Sequence, residues 1–220
     1  MKILKSILIA SIFFITANSV NAQDAKAKGI LDRLSKKTET YKSMSADFDY
    51  TMINKSDDIN ETQSGSLKTK GEKYNLNIAG QNIISDGKTV WTVIEDAEEV
   101  QVNMVPEEEE ESEDYINPVN ILTLWEKGFK YKYNSKSELN GISVDVIDLF
   151  PEKADDQSYH TIKLFINQSK MVIEQIIIKG KDGTDFIYRI KSFKADQELA
   201  ANLFTFKAAD YPDFDVIDLR

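Results

Sequence analysis

Four stretches of this chain alternate apolar and polar residues with a period of two, and nothing else in it restricts the fold as much. In ADFDYTM, Phe48, Tyr50 and Met52 alternate with Asp47, Asp49 and Thr51; in KYNLNI, Tyr74, Leu76 and Ile78 alternate with Lys73, Asn75 and Asn77. FKYKY sets Phe129, Tyr131 and Tyr133 against Lys130 and Lys132, and HTIKLFI carries Ile162, Leu164 and Ile166 in the same rhythm. A strand sends successive side chains to opposite faces, so each stretch is a strand with one dry and one wet side. Turn signals at Asp86-Gly87, Asn140-Gly141 and Lys181-Asp182-Gly183 separate them. Short strands joined by tight turns predict a mostly antiparallel meander. It should form one strongly curved sheet of about nine to eleven strands, because flat open sheets of that size are uncommon.

Three segments break the period. Residues 24–44 place Ala27, Ile30, Leu31, Leu34, Tyr41 and Met44 at the three-and-four spacing of an amphipathic helix. NPVNILTLWEKG offers Asn117 as a cap, Pro118 at the first helical position and Gly128 as a stop. Its apolar residues point nearly all the way round, so this helix, 117–127, wants cover on more than one side. DQELAANLF reads as a further turn or two of helix capped by Asp196, followed by a short final strand, FTF.

The first 22 residues have the layout of a secretory signal peptide. Lys2 and Lys5 precede an apolar run from Ile7 to Phe14, and small or polar residues lead to Val20-Asn21-Ala22. Cleavage is expected after Ala22, leaving 23–220 as a single domain, soluble, outside the cytoplasm and monomeric. The apolar run is shorter than the roughly 18–20 residues a membrane span needs. With no Cys in the chain, neither a disulfide nor a lipid-anchoring cysteine is available, so stability must come from an ordinary core. The 27 Lys and Arg face 37 Asp and Glu, and loss of Lys2 and Lys5 takes the net charge from −10 to −12. That balance repels nucleic-acid phosphates and argues against a nucleic-acid partner.

Chemistry finds little support. Gly87-Lys88-Thr89 ends like a phosphate-binding loop, but the position five before Gly87 is Asn82, not Gly, and a β-branched strand follows where a helix is required. The stretch is better explained as a turn with Gly supplying the positive φ. His160 is the single histidine, so every Ser-His-acid arrangement must pass through it; its parity with Ile162 and Leu164 puts it at the inner edge of the sheet as a structural residue. Without Cys and with one His, a zinc site lacks ligands. Asp47 and Asp49 share the wet side of their strand and read as solvated charges rather than a glycosidase pair. The run PEEEEESED, 106–114, is a solvated acidic loop without the pattern of a calcium loop. No enzyme, cofactor or metal is expected.

Beyond single motifs, the chain resembles the LolA family of periplasmic lipoprotein carriers over essentially its whole mature length. The signal peptide and amphipathic helix lead into YKSMSADFDYTM with an inward Phe48. SGSLKTKGEKYNLNI is similar to the family's Gly-x-Leu strand, charged turn and aromatic strand, and SDGKTVW to its Asp-Gly-Lys turn and Trp strand. INPVNILTL resembles the Pro-containing middle helix. The stretch from IKLFINQSKMVIEQIIIKGKDGTDFIYRIKSF through LFTFKAADYPDFDVID parallels the last strands and the closing Phe-Thr-Phe segment.

The resemblance implies an unclosed antiparallel barrel with helices as a lid over an apolar cavity that takes the acyl chains of lipoproteins from inner to outer membrane. Lipidated proteins, an inner-membrane release complex and an outer-membrane receptor are the implied partners. The family commonly has an Arg-Pro pair in the charged turn, whose Arg gates the lid; here Lys70 and Gly71 occupy those positions. Lys lacks the planar fork of a guanidinium, so Lys70 is a latch candidate of different chemistry.

Strand parity and helix position give the candidate acyl-cavity residues: Phe48, Tyr50, Leu67, Tyr74, Leu76 and Ile78, then Val90, Ile94, Ile121, Leu122 and Trp125. The helices near 24–44 and 117–127 are expected to fill the trough when it is empty and to swing aside when it is loaded. A binder of another lipid (a sensor or glycolipid carrier) and a protein-interaction module remain as alternatives.

Overall fold

The computed structural model describes residues 18–106 and 123–220, with the side chains of its first helix described from Ala25 onward. The leader before Asn18, the acidic run beyond Pro106, and the middle helix through Ile121 and Leu122 lie outside the described residues. Among the described residues one α-helix, α1 (Asn18–Thr38), precedes twelve strands. The first six are β1 (Met44–Asn54), β2 (Ile59–Lys70), β3 (Lys73–Ile78), β4 (Gln81–Ser85), β5 (Thr89–Ile94) and β6 (Glu99–Met104). The rest are β7 (Phe129–Leu139), β8 (Ile142–Pro151), β9 (Tyr159–Asn167), β10 (Val172–Gly180), β11 (Thr184–Ala195) and β12 (Asp215–Asp218).

All twelve strands form one sheet in the order β12-β6-β5-β4-β3-β2-β1-β11-β10-β9-β8-β7. The order does not close on itself, so the architecture is the expected unclosed, curved sheet of one chain. Two meanders, β1–β6 and β7–β11, are joined where β1 pairs with β11. Every ladder is antiparallel except that of β12, which runs parallel to β6 at one edge.

Curvature has a local cause in the second meander. Four register shifts leave one extra residue each: Lys191 opposite Asp47/Phe48, Glu174 on β10, His160 on β9 and Asn134 on β7. A bulge bends its strand and increases twist. It also shifts parity by one, so apolar residues three apart, such as Ile173 and Ile176 or Ile190 and Phe193, can face the same side.

The main core lies on the concave face. Ala27, Ile30, Leu31 and Leu34 of α1 are at most 2% exposed and pack on Ile147, Leu149, Ile162, Leu164 and Ile166. The helix stops earlier than its spacing suggests. Thr38 is its last residue, so Tyr41 lies past the end and Met44 opens β1.

The end of the chain differs more. DQELAANLF yields only the 3-10 turn Ala201–Phe204, FTF is not a strand, and the last strand is β12. Phe204 is 1% exposed beneath β3 and β4, Asn75 Nδ2 donates to the Leu203 carbonyl at 3.0 Å, and the Phe206 ring stacks on Trp91. Anchoring by side chains on the convex face replaces the ladder that a strand would have made.

Candidate ligand cavity

The alternating strands build one apolar wall. Paired residues of an antiparallel ladder share a face, and the pairs Phe48↔Gly65, Leu67↔Leu76, Leu76↔Ile83 and Ile83↔Thr92 carry that face from β1 to β5. Phe48, Tyr50, Leu67, Tyr74, Leu76, Ile78, Val90 and Ile94 therefore all point to the concave side. Asp47 and Asp49 point away, bonded to Ser192 at 2.7 Å and to Ser64 and Lys191 at 3.0 and 3.1 Å.

A cavity of about 170 Å³ lies between this wall and the C-terminal end of α1. Phe48, Leu67, Leu76 and Ile78 form one side, Ile176, Ile178, Tyr188 and Ile190 of β10 and β11 the other, and Leu34, Thr38 and Tyr41 the roof. The register shifts at Glu174 and Lys191 are what turn Ile173 and Phe193 into it as well. No charged residue is in the lining. A dry apolar cavity of about this size holds one small aromatic molecule; several acyl chains need more room than that.

The other sequence candidates sit elsewhere on the same face. Tyr50 lies beside the cavity, stacked on Phe186 and tilted against Tyr188, with ring centroids 6.2 and 5.2 Å apart. Tyr74 and Val90 are buried and Ile94 half-buried, away from this cavity. Trp125, in the 3-10 turn Leu124–Glu126, belongs to the main core, where its indole N–H donates to the Ser35 hydroxyl at 3.0 Å. Lys70 is exposed at the end of β2 and makes no ion pair among the described residues. His160 is exposed on its bulge, not at the inner edge; the extra residue turned it outward, and Nδ1 lies 2.8 Å from the Thr161 hydroxyl.

Sequence reasoning did not find the fastening of α1. The Asp145 carboxylate, 3% exposed, accepts from the Tyr133 hydroxyl at 2.7 Å and from the Gln168 amide. Lys26 reaches it at 3.7 Å while lying 3.5 Å from the Tyr133 ring centre. The Gln168 carbonyl accepts from Arg33 at 2.9 Å, and Lys37 donates to the Lys170 carbonyl. The contacts of Lys26, Arg33 and Lys37 tie α1 to the second meander, where Tyr133 and Gln168 hold the Asp145 carboxylate in place. Among the described residues no hydrogen bond links α1 to β1–β3 on the cavity flank, so separation there breaks none of this set.

A family model described as "Outer membrane lipoprotein carrier protein LolA" matches residues 39–207. Among solved structures, an uncharacterized conserved protein from Thermus thermophilus superposes with a TM-score of 0.54 at 11% identity, over 88% of this chain and 99% of that one, which shows a shared fold. A LolA superfamily protein, NE2245 from Nitrosomonas europaea, gives 0.44 at 14% identity over 82% of this chain and 97% of that one. The lipoprotein LppX of Mycobacterium tuberculosis gives 0.46 at 12% identity, over 79% and 99%. No curated protein matches the chain. Among the described residues no helix is long and apolar enough to cross a membrane.

Proposed function

This chain belongs to the LolA family, and from that premise we propose that it is a periplasmic carrier that shields the acyl chains of lipoproteins between the inner and outer membranes. The observation that carries this reading is the uncharged cavity between α1 and the β1–β3 wall, with a roof that, among the described residues, is held by hydrogen bonds along one flank only. Each buried CH₂ contributes about 0.8 kcal/mol, so even one long chain offers a large gross gain. Loading must separate α1 from the wall. Giving up the apolar packing between them offsets part of the gain, which keeps net affinity low enough for release to a receptor that holds the cargo better. Delivery then needs no energy source in the carrier's own compartment.

Native mass spectrometry of the protein purified from its envelope tests this. Copurifying acylated protein or peptide is expected, and it should be absent from the Leu76→Glu variant, which places a charge in the wall. Deletion of the gene should leave lipoproteins in the inner membrane; normal sorting would refute the carrier. The resting volume favours one alternative, an envelope protein that holds a single small lipid without moving α1. A copurifying free lipid with normal lipoprotein sorting would identify it.

A further inference from the structure

Polar atoms are scarce in the cavity. The Thr38 hydroxyl is already committed, donating to the Leu34 carbonyl at 3.0 Å. Tyr188 is not committed: its ring stands between those of Phe48 and Tyr50, at 6.0 and 5.2 Å, and its hydroxyl bonds to no described residue. Tyr41, the other phenol in the lining, sits against Phe193 at the roof; both phenols are half-buried, and Tyr188 is the one flanked by two rings of the wall.

Resting on the acyl-carrier reading above, we propose that the Tyr188 hydroxyl is the polar anchor of the cavity. It donates a hydrogen bond to an uncharged acceptor at the head of the chain, an ester or amide carbonyl, and the site rejects a free carboxylate.

Apolar pockets commonly fix a ligand's position through a few placed polar groups, and here the half-buried Tyr188 phenol, held between the Phe48 and Tyr50 rings, is the placed donor. Burial holds the Tyr188 phenol up at about 12, so it remains a proton donor throughout the physiological range. A carbonyl that meets this donor recovers the hydrogen bond it loses on leaving water. A carboxylate would enter a lining with no Lys, Arg or His to pair it, and burial of an unpaired charge is far costlier. The same cavity is thus permissive toward chain length and selective at the head group.

The test is displacement of the neutral fluorophore N-phenyl-1-naphthylamine from the full protein by methyl decanoate, decanoate and decane, near pH 8, where the carboxylate is ionised. The wild type should bind methyl decanoate at least about tenfold more tightly than decanoate. Tyr188→Phe keeps the ring; it should weaken methyl decanoate about tenfold and leave decane unchanged. Equal losses for ester and alkane, or wild-type binding of decanoate as tight as the ester, would overturn the anchor while leaving the cavity intact. Failure of the wild type to bind the fluorophore or any of the three would instead overturn the carrier reading, and the anchor with it.

Discussion

The ring of Phe48 packs against Gly65, where any other side chain would begin. The two residues are paired between β1 and β2, and a Cβ at Gly65 would stand 2.5 Å from Phe48 Cε2 and 2.8 Å from the Asn77 carbonyl oxygen. Glycine is therefore what lets a phenylalanine lie in this wall of the cavity, and the Gly-x-Leu pattern at Gly65 and Leu67 is a packing device.

Gly65→Ala is expected to force the ring off this seat. Overpacking of this kind costs about 1–3 kcal/mol, to be read from the urea unfolding midpoint. Displaced into the cavity, the ring should also lower fluorophore uptake. Adding Phe48→Ala to Gly65→Ala removes the ring but not the Asn77 carbonyl from the path of the new methyl, so it should restore uptake while recovering only part of the lost stability.

Asp145→Ala removes the acceptor shared by Tyr133 and Gln168 beneath α1. Each buried donor left without a partner costs about 1–3 kcal/mol. Amide hydrogen exchange should accelerate across Lys26–Arg33 more than in β9 or β10; uniform acceleration would mean that Asp145 serves the whole core and does not clamp the helix.

Alkaline pH should expose the burial of Tyr188. Its folded pKa is raised to about 12 from an ordinary 10, mainly by desolvation and secondarily by Tyr50. The unfolded chain therefore loses this proton first, and the stability tied to it is fully present below about pH 10 and lost as pH rises toward 12. The wild type should lose on the order of 2 kcal/mol more than Tyr188→Phe across that interval. Comparing the two cancels other groups that titrate nearby, such as Lys26, whose pKa is raised first by its bond to Tyr133. Parallel pH profiles would show that the phenol is already solvated.

Phe204 tests the convex side. Phe204→Ala should cost about 3–5 kcal/mol, as expected for emptying a buried aromatic site, and leave fluorophore affinity unchanged, since β3 and β4 separate it from the cavity. A parallel loss of binding would show that the two faces are coupled through the sheet.

The strands were legible in the sequence because a half-buried strand writes its two faces into alternate residues. Phe48, Leu67, Leu76 and Ile78 reached the cavity wall by that rule alone. Parity failed where a bulge added a residue: His160 moved outward, while Ile173 and Phe193, which are not among the sequence candidates, moved in. In β5, TVWTVI is apolar on both faces, so its own pattern names no inside. The ladders with β4 and β6 place Trp91 and Val93 on the convex face, paired with Val102 and Val100, under Phe204 and Phe206.

The sequence by itself determined a cysteine-free chain of half-buried strands with one amphipathic helix, because those properties depend on residues two, three or four positions apart. The tertiary structure decided the rest: among the described residues, twelve strands with a parallel one at the edge, a carboxylate beneath α1, and a cavity of about 170 Å³. Those depend on bulges and on contacts between residues more than a hundred positions apart, such as Arg33 with Gln168 or Asn75 with Leu203. Local periodicity carries no information about such contacts.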